Sequence, residues 1–241
     1  MSSAFDLIRS MDPQLLAVVL RSLAVSGLAC LLASGLGLLL GAWLGVARFP
    51  GRGAVLAVLN TALALPSVVV GLLVYLLLSR SGPLGFLGWL FSFQAMVLAQ
   101  TLLVLPVVTA LVRQTIEDAD RGHGEQLQSL GAGPLWRGLI LLWDERYALV
   151  TVLIAAFGRA ISEVGAVMVV GGNIEGFTRV MTTAIALETS KGDLPMALAL
   201  GAVLLGVVLL LNAMVALLRR WRQARDGSGS AWPGEWVQTR A

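Results

Sequence analysis

The chain has 241 residues, of which 57% are hydrophobic and 13% charged, and a formal net charge of +3 at pH 7. Soluble domains carry about a quarter charged residues, so this composition excludes a water-soluble globular protein. Apolar runs near 20 residues recur, the length of a helix crossing roughly 30 Å of hydrocarbon. They exclude a β-barrel, whose strands alternate in short segments. The predicted fold class is an all-α membrane protein with about five transmembrane helices.

In chain order, residues 1–21 read as an extracytoplasmic N-terminus, with 13–21 an interfacial helix. No signal peptide is read there, because no short apolar region with a basic leader and cleavage site precedes the first span. The first span is predicted over 22–46. Its row Gly37, Gly41 and Gly45 is a small-xxx-small pattern that lets helices approach closely. Cys30, the only cysteine, lies in this span and reads as a packing residue. The second and third spans are predicted over 54–78 and 93–116. Pro66 and Pro106 lie near their middles, each removing a backbone donor and bending its helix. Between them, 81–91 is a Gly/Pro-rich hairpin with Trp89 as an interfacial anchor. The fourth and fifth spans are predicted over 147–170 and 194–218. Residues 22–220 form the membrane domain, and the Gly/Ser-containing tail 221–241 is expected to be disordered.

The loop 117–146 departs most from this background. Over 124–145 it reads GEQLQSLGAGPLWRGLILLWDE. A short helical segment ends at Gly131, where a helix C-terminus favours positive φ, and an apolar-striped helix follows from Leu135 to Trp143. That shape suits either a docking element for a soluble partner or a plain structural connection. If this loop is cytoplasmic, eleven Lys and Arg residues fall inside, five fall outside and Arg159 lies within a span. The excess follows the positive-inside rule, with the N-terminus out and the C-terminus in. The basic residues at the span ends meet lipid headgroups and do not point to nucleic acid.

Glu125, Gln126 and Leu127, then Gly131 and an apolar helix returning to the membrane, resemble the EAA loop of type I ABC importer permeases. Gln126 and Leu127 replace the two alanines of that pattern, and Trp143-Asp144 stands where Leu-Pro is usual. Further on, Glu163-Val164-Gly165-Ala166 and Gly172-Asn173 are similar to the fourth-span region of the oxyanion-importing subgroup. With Ser162, Ile174 and the run from Thr178 to Ile185, they are most similar to the tungstate permeases, with molybdate and sulfate as alternatives. The resemblance covers roughly 21–220. It implies the type I permease core, a homodimeric pore in the bacterial inner membrane, two ABC ATPase subunits and an extracytoplasmic oxyanion-binding protein. It places Glu125, Gln126, Leu127, Leu130, Gly131 and Trp136 in the ATPase-coupling loop.

No Walker A sequence occurs, since the only lysine, Lys191, precedes Gly192 rather than Ser or Thr. ATP and Mg²⁺ are therefore expected on the partner ATPase, with no cofactor, metal or catalytic residue in this chain. His123, the only histidine, reads as a solvated loop residue. Arg159 and Glu163 are four apart and are expected to share a helix face and pair, either beside the pathway or as a structural ion pair. Ser67, Thr109, Ser162 and Asn173, together with Glu163, are candidates for the pathway or gate. For the hydroxyls the competing option is bonding back to their own helix. An ion-gradient transporter using Glu163 is the alternative of a different class.

Overall fold

A computed structural model of the protein describes residues 9, 10 and 12–227; the rest of the N-terminal segment and the tail beyond 227 lie outside it. All regular structure among the described residues is helical. The helices are α1 (Pro13–Val46), α2 (Arg52–Ala64), α3 (Ser67–Leu78), α4 (Phe93–Ser129), α5 (Pro134–Asp144), α6 (Arg146–Ile161), α7 (Gly165–Gly171), α8 (Met181–Lys191) and α9 (Leu194–Gly227). A single 3-10 turn, Gly85–Leu87, sits in the hairpin after α3.

The helix α1 begins at Asp12, whose Oδ1 accepts the N–H groups of Gln14 and Leu15 at 2.9 and 3.1 Å, with Pro13 in the first turn. Nothing interrupts it before Val46, so the predicted interfacial helix 13–21 is the first part of one 34-residue rod. Asp12 and Pro13 supply the start signal, and no glycine or proline near Arg21 supplies a stop.

The rods α1 and α4 form the centre of the fold. A Cβ added at Gly37, Gly41 or Gly45 would fall 2.8, 2.7 or 2.9 Å from Val108, Val112 or Ile116. Both numberings rise together, so the helices run parallel, as a first and a third span must. At Gly41 the carbonyl of Thr109 lies 2.8 Å from the same Cβ position, which brings the two backbones into direct contact. Val104, Val108, Val112 and Ile116 are buried beneath this contact with Cys30 and Ala33.

Pro106 stands inside α4 without ending it, whereas Pro66 separates α2 from α3 with a 100° bend. Leu65 and Pro66 both adopt extended backbone, φ −62° and ψ 130°, the conformation imposed on a residue before proline. At Pro106 the surrounding turns are clamped against α1 and stay helical. The second predicted span is thus a broken one. The fourth is broken too, because α6 ends at Ile161 and α7 starts at Gly165 with a 56° bend. The third predicted span does not stop near Ile116 but runs on to Ser129. A further helix, α8, was absent from the sequence reading. The fifth span continues as helix to Gly227, so residues 221–227 of the predicted disordered tail are helical.

The glycine contact has a direct test. Gly41→Ala must push Val112 and the Thr109 carbonyl aside, and such overpacking costs about 1–3 kcal/mol. Nothing lies within 4 Å of a Cβ at Gly27. An SDS unfolding titration of the purified protein is expected to show a lowered midpoint for Gly41→Ala and a near-unchanged one for Gly27→Ala.

Candidate functional site

Past Ile116, α4 leaves the helical bundle for thirteen more residues, roughly 20 Å at 1.5 Å per residue. It stops in a Schellman motif. The N–H of Ala132 donates to the Leu127 carbonyl at 3.0 Å and that of Gly131 to Gln128 at 3.0 Å. Gly131 sits at φ +81°, a conformation that other residues adopt only with strain. The chain then turns into α5, which has Pro134 in its first turn.

One side of α5 is fixed to the bundle. Gly138 is buried against the backbone of Ala42, and Leu141 is buried beside it. Arg137 contacts Asp120 of α4 at 2.9 Å, each side chain only 11% exposed, and its Nη2 donates to the Val46 carbonyl at 3.3 Å. A second cluster lies alongside. Glu117 meets Arg113 and, at 3.5 Å, Arg52, and Arg52 donates to the Leu44 carbonyl at 2.9 Å. These ions tie α2, α4 and α5 to the last carbonyls of α1. Sequence reasoning missed Arg52, Asp120 and Arg137. A basic residue whose partner lies seventeen positions away, across a turn, leaves no local spacing to detect.

The other side of the loop faces outward. Leu130 is 82%, Trp136 67% and Trp143 73% exposed, with Leu135 and Ile140 between them. Glu125 and Gln126 are exposed and Leu127 is half-buried. An apolar and aromatic patch on a rigid mount, rimmed by polar residues, marks a contact surface for a protein or for the membrane. Arg146 stacks over Trp143 and Tyr147, 5.2 and 4.7 Å from their ring centroids, where α5 meets the start of α6.

The two span breaks lie together. Ser67, first residue of α3, places its Oγ 2.7 Å from a Cβ built at Gly165, first residue of α7, and Gly71 packs on Ala166. Glu163 lies between α6 and α7, 8% exposed. Its Oε1 accepts the Ala166 N–H at 3.3 Å, and its own carbonyl accepts from Thr182 at 2.8 Å. Gln100 of α4 donates to the Ala160 carbonyl at 2.7 Å, supplying a partner to the end of α6. Asn173, at φ +51°, donates to the Thr183 carbonyl at 3.3 Å and helps seat α8.

The predicted Arg159–Glu163 pair does not form. Because α6 ends at Ile161, the four-residue spacing no longer puts the two side chains on one face, and Arg159 is exposed. Thr109 is 2% exposed and donates to the Leu105 carbonyl at 2.8 Å. It bonds to its own helix and packs against Gly41 in the contact between α1 and α4. Ser162 also bonds back, to the Gly158 carbonyl at 2.9 Å, but it is exposed. The structure therefore brings Ser67, Ser162 and Glu163 to one region, leaves Asn173 as a loop anchor and places Thr109 apart from them in the α1–α4 contact. His123 is exposed at the edge of a cleft between α4 and α6.

A family model, the binding-protein-dependent transport system inner membrane component, matches residues 37–223. The "Probable anion ABC transporter permease protein" of Haloferax volcanii is 42% identical over 220 residues, covering 89% of this chain and 95% of that protein. The tungstate uptake system permease protein TupB of Peptoclostridium acidaminophilum is 40% identical over 221 residues, covering 90% and 95%. The molybdenum transport system permease protein ModB of Escherichia coli K12 is 34% identical over 236 residues, covering 90% and 98%.

The Asp120–Arg137 contact predicts coupling between the two positions. A double-mutant cycle of Asp120→Asn and Arg137→Met, followed by unfolding midpoints, is expected to give an interaction energy of about 1–3 kcal/mol. Arg137→Met alone is the worse single change, because it leaves a nearly buried carboxylate uncompensated.

Proposed function

We propose that this chain, which belongs to the family of binding-protein-dependent transport system inner membrane components, is the membrane-spanning permease subunit of an ATP-driven oxyanion importer with tungstate as its cargo. The cargo class rests on the relatives, among which the TupB protein at 40% identity stands above the ModB protein at 34%. The mechanism rests on one observation. Leu130 at the end of α4 and Trp136 and Trp143 on the rigidly mounted helix α5 face outward on the side where α4 leaves the bundle.

In this reading that side is cytoplasmic, the N-terminus is outside and the C-terminus inside, an orientation that the distribution of basic residues supports. Two copies of the chain enclose the pathway. Two ATPase subunits hold ATP and Mg²⁺ and grip the loop through the exposed patch. A binding protein delivers the anion to the outer mouth and carries most of the affinity. Closure of the ATPases moves α5, and the ions at Arg137 and Asp120 pass that displacement to α1 and α4. The breaks between α2 and α3 and between α6 and α7 are where the spans can change angle without sliding the glycine contact.

Reconstitution with the partner ATPase and binding protein in liposomes tests the whole reading. Tungstate uptake is expected to require ATP. Uptake driven by a proton gradient with no ATPase present would instead favour an ion-gradient transporter. Two variants address the coupling loop. Gly131→Val forces a β-branched residue to φ +81°, at a strain of about 1–3 kcal/mol, and uptake is expected to fall about tenfold or more at normal abundance. Trp136→Ala is expected to weaken the permease–ATPase complex about 30-fold, the scale of a central aromatic anchor, with the unfolding midpoint unchanged.

A further inference from the structure

Arg159 is the feature that the proposed function leaves unexplained. It is exposed, and it makes no ion pair or hydrogen bond among the described residues. Thirteen residues separate it from Arg146 at the start of α6, roughly 20 Å along the helix, which places it within the hydrocarbon depth. A lone guanidinium facing lipid at that depth is disfavoured by at least about 2.5 kcal/mol. The stable alternatives are water or a counter-charge.

Its neighbours on the helix point the same way. Ala148, Ala155, Arg159 and Ser162 are spaced seven, four and three apart and so share one face. On that face Ala155, Arg159 and Ser162 are exposed. The faces that read as lipid-facing are different, with Leu31, Leu36 and Leu39 on α1 and Leu205, Leu209 and Leu210 on α9. Val152, on the same face, is half-buried against the core; the exposed residues of the α6 face are small or polar, and it ends beside the span breaks at Ser162. At its other end Ala148 opens into a cleft of about 430 Å³ between α4 and α6, lined also by Thr115, Asp118, Gly122 and Glu145.

We infer that the α6 face lines the pathway and that Arg159 is the residue that selects for a dianion within it. This inference rests on the proposed function and deepens it. One guanidinium from each of two copies matches the two negative charges of a tetrahedral oxyanion, and its planar donors suit paired oxygens. Contact with water in an open path screens the charge, so the site holds the anion only transiently, as conduction requires.

The reconstituted transporter with tungstate as the probe gives the test. In Arg159→Gln the maximal uptake rate is expected to fall about tenfold or more, the scale of one lost charge-assisted hydrogen bond. The apparent KM, set by the binding protein, stays, as does ATP hydrolysis stimulated by the loaded binding protein. Arg159→Lys recovers part of the rate. Wild-type rates in Arg159→Gln overturn the inference, and so does loss of stimulated ATP hydrolysis together with uptake, which would mark a structural role. A second measurement does not depend on transport. Cys30 is the only cysteine and is buried, so Arg159→Cys in a Cys30→Ala background introduces a single thiol. A membrane-impermeant anionic methanethiosulfonate is expected to modify it about tenfold or more faster than the thiol of Leu31→Cys, since only water delivers the reagent, and tungstate slows the reaction. Equal rates place Arg159 against lipid and overturn the inference. If the wild type shows no ATP-driven uptake, the proposed function fails and the labelling result still decides the role of Arg159.

Discussion

The parallel contact of α1 with α4 is the constraint on which the remaining structure depends. Lipid tails are as apolar as leucine, so burying apolar surface gives two helices little reason to associate inside a bilayer. Close packing has to supply the attraction, and Gly37, Gly41 and Gly45 permit it by letting Val108, Val112 and Ile116 approach the α1 backbone directly. That seam fixes the register of α4. The register in turn decides where Glu117 and Asp120 emerge from the bundle, and so which arginines they can reach. Arg52 and Arg137 then bind the ends of α2 and α5 to the same assembly. The chain of cause runs from three small residues to the position of α5.

Around this rigid pair the second and fourth spans are each made of two pieces. Their breaks meet, with Ser67 against Gly165 and Gly71 against Ala166. Broken spans leave backbone groups without helical partners, which lipid does not tolerate. Here side chains supply the bonds. Gln100 serves the end of α6, Glu163 caps the start of α7, and Thr182 holds the Glu163 carbonyl. The carboxylate that looked like half of a salt bridge is part of this backbone repair. The arginine that was to neutralise it is thereby left to face outward.

What could be read from the sequence follows the range of each interaction. The Gly37–Gly41–Gly45 row, the break at Pro66 and the turn at Gly131 are local signals, set by four-residue spacing or by one residue's backbone preference, and each is present in the structure. The membrane character was equally plain, because it is a property of composition. The end of α6 at Ile161 was not legible, since no proline lies near it and Gly158, three residues before, sits inside the helix without ending it. The stop is imposed by tertiary partners on α4 and α8. The helix α8 escaped notice because Thr182, Thr183, Thr189 and Ser190 among alanines show neither an apolar run nor a clear stripe. The third span's continuation to Ser129 was hidden by the charged residues after Ile116, which read as loop although Glu117, Ala119 and Arg121 among them are good helix formers. In the loop around Gly131 the motif drew attention to residues that the structure leaves exposed, such as Leu130 and Trp136, while the Arg137 and Asp120 mount beneath them left no local signal.

The backbone contact at Gly41 also limits what kinds of movement the protein can make. With the Thr109 carbonyl lying against α1, twisting either rod about its own axis would drive Val112 into its neighbour. The pair resists torsion like a keyed shaft. A displacement of α5 is not absorbed by twisting along the rods, and the bends beside Pro66 and Glu163 are the places in the bundle where angle can change instead.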